Sequence, residues 1–412
     1  MNQPKPLAGS SMPPLCLYTG GFPYGLGEQF LETEIKYLAE YFDTILIIPN
    51  NPTGTIRPIP TNVKVLRQKP TPYTTLRGIK QLGKWVLASL EDLIKAPDKK
   101  YFLSNLLRTA HQANELKKFL EQHNLLEKTI HYTYWFNEQS TLLSILKSQN
   151  KISGYISRAH GFDLYEDRNK NGYIPFRSFQ LQHVTKLFLI SKHGLNYISS
   201  KYPQHQHKFH LAYLGVENPA LFSYHPPKDE SYHIVSCSRM VEIKRIHLII
   251  KALSNIRSKK ILWTHIGDGR LFEQIKHQAK TSLPSNIQYK FLGHIDNSEI
   301  FSFYRQANID VFINVSSSEG LPVTIMEAIS FGIPIVATNV GGTKEIVTKN
   351  TGAIIDVNTK PERIAQIIIE VLNEKSRNAS ERKRIIEFWN QNLNAATNYA
   401  NFCKKLTQCF QK

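Results

Sequence analysis

The sequence predicts an α/β chain made of two doubly wound domains. Short apolar segments of strand length recur along the 412 residues, and most are followed by a segment of helical periodicity. In the second half the strand segments are continuously apolar, as expected when helices cover both faces of a parallel sheet. A polar, Pro-containing segment without periodicity, residues 215–230, separates the halves and is interpreted as the linker.

The first half begins with a predicted strand at 15–18, a glycine-rich loop at 19–27 and a helix at about 28–41. The later elements follow the same alternation. Strands are predicted at 44–49, 64–66, 129–134, 153–158 and 186–190, and helices at 138–147 and 194–201.

Residues 67–121 break this alternation. Leucine, isoleucine and valine recur there at helical spacing, with Lys and Arg on much of the other face. The pattern breaks at Pro97 and resumes near Tyr101. This segment, predicted to be a basic helical insertion, has 11 Lys or Arg against 4 acids up to Lys118, so it carries +7 of the net +18.

The second half predicts six strands and five intervening helices. The strands are at 233–238, 261–266, 289–292, 309–314, 333–337 and 353–355, and the helices at 246–256, 270–280, 298–306, 323–331 and 360–373. We therefore predict a first domain at 1–218, a second at 219–384, and a helical tail at 385–412 that returns to the first domain. Its predicted packing residues are Phe388, Trp389, Tyr399, Phe402 and Leu406.

Composition limits the possible classes of protein. With 41% hydrophobic and 20% charged residues the chain is globular, not disordered or collagenous. No apolar run reaches the length of a membrane span, and the N-terminus does not resemble a signal peptide. Four scattered cysteines favour a reducing cytosol. The net charge of +18 indicates a polyanionic partner: nucleic acid, an anionic membrane or a phosphate-bearing substrate.

The strongest motif is SSSEGLPVTIMEAISFGIPIVATNVGGTKEIV, residues 316–347. A predicted strand runs into a polar loop, and Pro322 opens a helix whose exposed amides favour an anion. Glu327 is flanked by apolar residues, and its burial would require hydroxyl or amide partners such as a ribose diol. Alternatively, Glu327 caps a neighbouring loop or pairs with a lysine.

This segment resembles the family 4 retaining glycosyltransferases, which have the two-domain GT-B fold. It shows the family's paired glutamates, Glu319 and Glu327, followed by the strand at 332–338 and the turn at 341–345, and the resemblance covers most of 231–375. It implies Rossmann-like domains facing an interdomain cleft. Glu327 would hold the donor ribose and Glu319 would meet the donor sugar. Amides around Gly320 and Leu321 would contact the sugar and diphosphate.

Residues 238–253 resemble a second element of the family. The resemblance implies that Arg239 and Lys244 clamp the diphosphate, whose charge grows as it leaves. Otherwise both are solvated surface charges. Arg245 stands where the family usually has Gly. Gly267 begins a G-x-G turn that fits the family but fails as a dinucleotide fingerprint.

Residues 19–35 look like the family's first loop, in a form similar to bacterial enzymes that build capsule, exopolysaccharide or O-antigen. Gly20 and Gly21 would let the backbone approach a phosphate or sugar. Glu28 and Glu32 would face the acceptor, or they are ordinary acids of a first helical turn.

His160 follows the predicted strand at 153–158. The resemblance implies that it lies against the donor sugar near its 6-hydroxyl, whereas a lone histidine can also be structural. Asp163 and Arg168 are weaker candidates for acceptor contacts.

Several signatures are absent from the sequence. It contains no D-x-D, Walker or G-x-S-x-G motif, and the histidines at 205, 207 and 210 are interpreted as surface residues. No metal and no cofactor is expected beyond the co-substrate, a UDP- or GDP-sugar.

The resulting hypothesis is a retaining, metal-independent hexosyltransferase for a surface polysaccharide. Its acceptor would be a glycan, such as one linked to polyprenyl diphosphate. The protein would be cytoplasmic and held on the anionic inner face of the plasma membrane by the basic insertion, in a salt-sensitive way. The insertion could instead be a helical cover over the first sheet.

Alternative functions are a GT-B nucleotide-sugar hydrolase or epimerase, transfer to a soluble acceptor, or nucleic-acid binding. The last predicts aromatic–basic stripes, which are absent.

Overall fold

The computed structural model describes residues 12–217 and 230–409. Within them, one compact unit ends at Tyr213 and resumes at Tyr399, and the other runs from Leu214 to Asn398. Most of the predicted linker, and the predicted boundary after residue 218, lie outside the described residues.

The first unit contains a seven-stranded sheet. Its strands are β1 Leu15–Thr19, β2 Ile45–Pro49, β3 Val63–Val65, β4 Ile130–Thr133, β5 Tyr155–Ala159, β6 Lys186–Leu189 and β7 Phe209–Leu211. All pairs are parallel, in the order β3-β2-β1-β4-β5-β6-β7. β7 was not predicted, and it directly follows a polar stretch rich in histidine at 203–208.

The first eight helices, numbered in chain order, belong to the first unit. They are α1 Leu31–Tyr41, α2 Thr75–Lys80, α3 Trp85–Ala88, α4 Leu90–Lys95, α5 Lys99–Gln122, α6 Glu138–Ser148, α7 Arg177–His183 and α8 Lys192–Lys201. Side-chain caps fix several starts: Asp98 accepts from the amide of Tyr101, and Ser191 accepts from that of Gly194. Buried apolar clusters lie against this sheet, and one of them includes residues of the C-terminal tail.

The second unit contains a six-stranded parallel sheet. Its strands are β8 Tyr232–Cys237, β9 Ile261–Ile266, β10 Ile287–Phe291, β11 Val311–Asn314, β12 Ile335–Thr338 and β13 Gly352–Ile355. Their order is β10-β9-β8-β11-β12-β13. The remaining helices are α9 Ile246–Leu253, α10 Phe272–Ser282, α11 Asn297–Gln306, α12 Val323–Ser330, α13 Thr343–Ile346, α14 Pro361–Val371, α15 Ala379–Asn392 and α16 Ala395–Gln408.

The C-terminal tail divides between the two units. α15 stays with the second unit, where the indole of Trp389 donates to the carbonyl of Val216 at 3.2 Å. In α16, Phe402 and Leu406 are buried in a core of the first unit. The chain therefore rejoins the first unit at Tyr399, later than residue 385, because Trp389 ties α15 to the second unit.

The basic insertion differs from the pattern that its sequence suggests. Val86 and Leu93 pack against the core of the first unit, but Leu76, Ile79 and Leu87 are exposed. The insertion is therefore only in part a cover for the first sheet, and much of its apolar surface faces solvent.

Parallel strands alternating with helices confirm the predicted α/β class of two doubly wound sheets. Within the described residues, no helix combines the length and apolar character that crossing a membrane requires.

Candidate active site

The strand orders locate a candidate site in each unit. In open parallel sheets, ligands bind beyond the carboxyl ends of the strands where the order reverses. The order reverses between β1 and β4 in the first unit and between β8 and β11 in the second. The loops that follow these four strands carry most of the residues predicted from the sequence.

In the second unit, the loops after β8, β9, β11 and β12 are in backbone contact. Gly267 has φ +129°, and a Cβ there would lie 2.0 Å from the carbonyl oxygen of Ser238. Gly341 has φ +54°, and its Cβ would lie 1.9 Å from the carbonyl oxygen of Glu319. Only glycine fits either position, so Gly267 lets the loops after β8 and β9 approach closely, and Gly341 does the same for the loops after β11 and β12.

An ion pair lies where the strand order of the second unit reverses. Lys244, in the turn after β8, donates from Nζ to Oε1 of Glu319 at 2.6 Å. Asn314, the last residue of β11, donates to the same oxygen at 3.3 Å. The amide of Ser317 donates to the carbonyl of Ile243 at 2.8 Å and joins the two loops. Two residues that the sequence assigns to one site are therefore in contact.

Arg239 and Arg245 differ in what their charges contact. Arg239 is exposed, and its guanidinium has no partner within the described parts of the chain. Arg245 has φ +49°, which lies in the left-handed region of backbone conformations. It stands at the position where the family that this sequence resembles usually has glycine. Its guanidinium donates to the carbonyls of Val315, at 2.7 Å, and Val357, at 2.8 Å. Arg245 therefore ties loops together.

Glu327 is buried in α12 with 4% of its surface exposed. Its Oε2 has no hydrogen-bond partner among the described residues. Burial raises the pKa of Glu327 to about 8, and a hydrogen bond from Asn297 opposes this only in part. The Cys237 thiol at the end of β8 has a raised pKa, mainly through burial, and both Glu327 and Lys244 act on it. Glu327 is therefore a buried carboxyl group with one oxygen still able to accept a hydrogen bond.

The start of α12 offers further hydrogen-bond donors. Gly320 and Leu321 precede this helix, and the carbonyl of Gly320 accepts from the amide of Gly342 at 2.7 Å. Among the hydrogen bonds of the described residues, none uses the amides of Gly320 or Leu321 as donors. Unused amides beside a helix N-terminus suit an anionic ligand.

In the first unit, Glu28 organises the loop after β1. Its Oε1 accepts from the amide of Gly20 at 2.9 Å, and its Oε2 accepts from those of Gly21 and Phe22, each at 2.7 Å. The indole of Trp135 also donates to Oε1. Glu28 has φ +56° and precedes α1, so it is not part of the helix predicted to begin there. Its carboxylate holds the loop, while ligand contacts of Glu28, Gly20 and Gly21 stay predictions.

Glu32 lies in the first turn of α1, as predicted. It forms an ion pair with Arg57 at 2.7 Å. The Arg57 guanidinium lies 4.9 Å from the centre of the Phe22 ring. Glu32 therefore has a partner in its own unit, and its acceptor contact stays a prediction.

Asp163 is 2% exposed and fixes the loop after β5. Its Oδ1 accepts from the amides of His160, at 2.9 Å, and Gly161, at 2.8 Å, and its Oδ2 accepts from the amide of Phe136 at 3.0 Å. Burial alone would raise the pKa of Asp163, but the hydrogen bonds and charge of His160 outweigh it and lower the pKa overall. This geometry makes Asp163 a positioning residue, and its acceptor contact stays a prediction.

His160 is held by Asp163 and by aromatic rings. Its Nδ1 lies 3.5 Å from Oδ2 of Asp163, and its ring centre lies 4.6 Å from that of Tyr134 and 4.5 Å from that of Trp135. Its Nε2 is buried without a hydrogen-bond partner in the described chain. His160 therefore has one oriented nitrogen and one still able to bond a ligand.

Asn314 and Trp135 were not predicted from the sequence as residues of a site. Asn314 ends β11 and Trp135 closely follows β4, so the rule that ligands lie beyond strand ends could have found both. No sequence signal distinguished Asn297, which reaches Glu327 from another helix.

Among the described residues, no group of three or more His, Cys, Asp or Glu side chains is placed to hold a metal ion. Metal independence itself stays a prediction.

Comparison with known proteins supports the assignment of the second unit. Residues 218–389 match the family model Glycosyl transferases group 1. An uncharacterized glycosyltransferase of Methanocaldococcus jannaschii is 25% identical over 247 residues, 60% of this chain and 66% of that protein. A GDP-mannose-dependent monoacylated alpha-(1-6)-phosphatidylinositol monomannoside mannosyltransferase of Corynebacterium glutamicum is 24% identical, over 66% of this chain and 73% of that one.

A third relative matches a shorter region. The O-antigen biosynthesis glycosyltransferase WbnH of Escherichia coli is 34% identical over 125 residues, 30% of this chain and 33% of that protein. The aligned regions thus span between a third and about three quarters of these relatives.

Solved structures share the fold. The lipopolysaccharide outer core galactosyltransferase WaaB gives a TM-score of 0.69 at 14% identity, covering 96% of this chain and 99% of that chain. Anabaena HepE in complex with UDP gives 0.65 at 15% identity, covering 96% and 100%. These structures show that the fold is shared, and the match to the Glycosyl transferases group 1 model is confined to residues 218–389.

Proposed function

We propose that the protein is a retaining, metal-independent glycosyltransferase that uses a UDP- or GDP-sugar. The observation that carries this proposal is the Lys244–Glu319 pair at the reversal of the second sheet, beside the unused amides at the start of α12. Cations and amide donors there suit a diphosphate, and a carboxylate suits sugar hydroxyls.

The donor would be held by three kinds of contact. Glu327 would accept hydrogen bonds from the ribose hydroxyls through Oε2, which supplies the partner that its burial demands. Arg239 and Lys244 would bind the diphosphate. Glu319 would contact the sugar, in exchange for part of its contact with Lys244.

Catalysis would rest on positioning and electrostatics. As the bond from the sugar to the diphosphate breaks, negative charge grows on the leaving oxygens, and fixed cations lower the barrier most where that charge develops. The departing phosphate would accept the proton of the acceptor hydroxyl on the same face, which retains the anomeric configuration. His160 Nε2 would donate to or accept from a donor-sugar hydroxyl and so orient it.

The acceptor would be a growing surface glycan, such as one on a polyprenyl diphosphate carrier. The O-antigen and mannosyltransferase relatives support a role in polysaccharide synthesis. Such a carrier lies in the membrane, so we also propose attachment to the inner face of the plasma membrane through the basic insertion.

Titration calorimetry against a panel of UDP- and GDP-sugars tests donor binding directly. We expect micromolar affinity for at least one donor, and NMR of the product should show the donor's anomeric configuration. Inversion of that configuration would contradict the mechanism. A gel shift with nucleic acid at about 0.15 M salt tests the alternative that this basic protein binds nucleic acid. Tight nucleic-acid binding without donor binding would overturn the proposal.

Replacing Lys244 should weaken transfer. Lys244→Met removes one cation from the leaving diphosphate, and we expect kcat/KM to fall about 10-fold, the value of one charge-assisted hydrogen bond in a partly exposed site. Lys251→Met, in the last turn of α9, is a matched control with an exposed lysine. Equal kinetics for the two variants would remove Lys244 from the site.

Asp163 should affect turnover and leave donor affinity nearly unchanged. Asp163→Asn keeps the shape but weakens the contact that orients Nδ1 of His160, so we expect kcat to fall about 10-fold. Donor affinity measured by calorimetry should stay within about twofold, because most of the proposed donor contacts come from the second unit and only His160 comes from the first. A parallel loss of donor affinity would show that Asp163 has a different role.

A further inference from the structure

Exposed apolar side chains are concentrated in the basic insertion. Of the fourteen large hydrophobic residues that are exposed in the described chain, nine lie between residues 73 and 103. They are Tyr73, Leu76, Ile79, Leu82, Leu87, Leu90, Ile94, Tyr101 and Leu103. Scattered single apolar residues are normal on a protein surface, but a local concentration marks a binding surface.

The helices α3 and α4 leave large apolar side chains exposed. Leu87 of α3 and Leu90 and Ile94 of α4 are here called the outer stripe. They are 69%, 45% and 78% exposed. Trp85, Ser89 and Asp92 are buried. The inward side therefore combines apolar and polar groups, while leucine and isoleucine of the outer stripe face solvent.

The inward contacts of Asp92 fix this orientation. Its two carboxylate oxygens accept from the amides of Ser178, at 3.2 Å, and Phe179, at 3.1 Å, at the start of α7. Its carbonyl accepts from the hydroxyl of Tyr173 at 2.9 Å. A rotation that buried the outer stripe would break these bonds and expose Trp85, so the outward direction of the stripe is built into the unit.

The charges around the outer stripe are basic. Six Lys or Arg side chains lie between residues 77 and 100, against three acids. Of these acids Asp92 is buried, Glu91 pairs with Lys95, and Asp98 accepts from the first turn of α5. The surface therefore combines outward apolar side chains with uncompensated positive charge, which complements acyl chains beneath anionic headgroups.

We propose that the outer stripe inserts into the headgroup–acyl boundary of an anionic lipid bilayer, while the surrounding lysines and arginines contact the lipid phosphates. Exposed Tyr73 and Tyr101 suit the same boundary, where aromatic residues with a polar tip are enriched. Attachment is therefore partly hydrophobic, whereas the sequence predicted a purely electrostatic and salt-sensitive contact. The inference rests on the membrane location in the proposed function and is independent of the transfer reaction.

Cosedimentation of the full chain with vesicles tests the inference. The vesicles contain phosphatidylcholine with or without phosphatidylglycerol, at about 0.15 M and about 0.5 M salt. We expect wild type to bind only the anionic vesicles at low salt and to keep a measurable bound fraction at high salt. The double variant Leu87→Ser/Ile94→Ser should lose at least 10-fold in partitioning at both salt concentrations. Ile354→Ser, an exposed isoleucine of the second unit, should behave as wild type.

Several outcomes would overturn the inference. They are complete release of wild type by salt, equal partitioning of the double variant, absence of vesicle binding, or a lipid-free dimer that the double variant abolishes. Donor affinity and thermal stability of the double variant are measured alongside and should match wild type. Absence of vesicle binding together with intact donor binding would contradict only the membrane inference. Absence of donor binding in wild type would contradict only the proposed function.

Discussion

Glu327→Gln is expected to abolish most donor binding and to stabilise the protein in the absence of donor. The glutamine keeps the size of the side chain but removes the carboxylate, which is ionised above about pH 8 and would then accept hydrogen bonds from two ribose hydroxyls. Each hydrogen bond to a charged group contributes about 1.5–3 kcal/mol. We therefore expect donor affinity to fall at least about 100-fold.

The stabilisation should depend on pH because of the raised pKa. Glu327 titrates near pH 8 in the folded protein and near its ordinary value of 4.5 in the unfolded chain. Between these values the unfolded state binds fewer protons, so Glu327 lowers the free energy of unfolding as pH rises. Glutamine has no such titration. The gain of Glu327→Gln should be below about 1 kcal/mol at pH 5 and reach about 4 kcal/mol at pH 8.

Calorimetric titration and thermal unfolding measure the two effects on the same samples. Glu362→Gln, an exposed glutamate in the first turn of α14, is the matched control and should change neither quantity. Donor affinity unchanged in Glu327→Gln would remove this residue from the site. A stabilisation that did not grow between pH 5 and pH 8 would contradict the assigned titration.

Arg158→Met is expected to destabilise the first unit by about 3–5 kcal/mol, the usual cost of leaving a buried charge without its partner. Arg158 and Glu34 are both fully buried, and Nε of Arg158 lies 3.5 Å from Oε1 of Glu34. Tyr132 donates to the same oxygen at 2.7 Å. The guanidinium also lies 4.0 Å from the centre of the Phe402 ring in α16. The pair therefore supports the packing of the C-terminal tail.

The electrostatics of this pair explain the expected loss. Burial alone would lower the pKa of Arg158, but Glu34 and neighbouring tyrosines outweigh it and raise the pKa. Without Arg158, the carboxylate of Glu34 would be buried without a cation, which is the costly state.

Denaturant unfolding measures this deficit. Arg384→Met, an exposed arginine of α15, is the control and should lie within about 0.5 kcal/mol of wild type. The double variant Glu34→Leu/Arg158→Met should recover part of the loss, because it removes the unpaired charge as well. A single variant as stable as wild type, or a double variant less stable than the single one, would contradict the assigned role.

The sequence by itself determined the α/β class and the positions of most strands, and it predicted the residues of the proposed donor site. Apolar runs of strand length and helical spacing are local signals, so β1, β9 and α12 are evident without any tertiary information. The same holds for Glu319 and Glu327, because the motif that contains them is contiguous. Residues just beyond strand ends also follow, since parallel strands all end at one edge of a sheet.

Only the tertiary structure decided which groups meet across long stretches of chain. Lys244 and Glu319 are 75 residues apart in sequence, and their contact depends on the neighbouring places of β8 and β11 in the sheet. The outward direction of Leu87 and Ile94 likewise depends on where α7 lies, because its amides bind Asp92 from the opposite side. Periodicity shows that a helix has an apolar face, but what packs against the helix decides which face is buried.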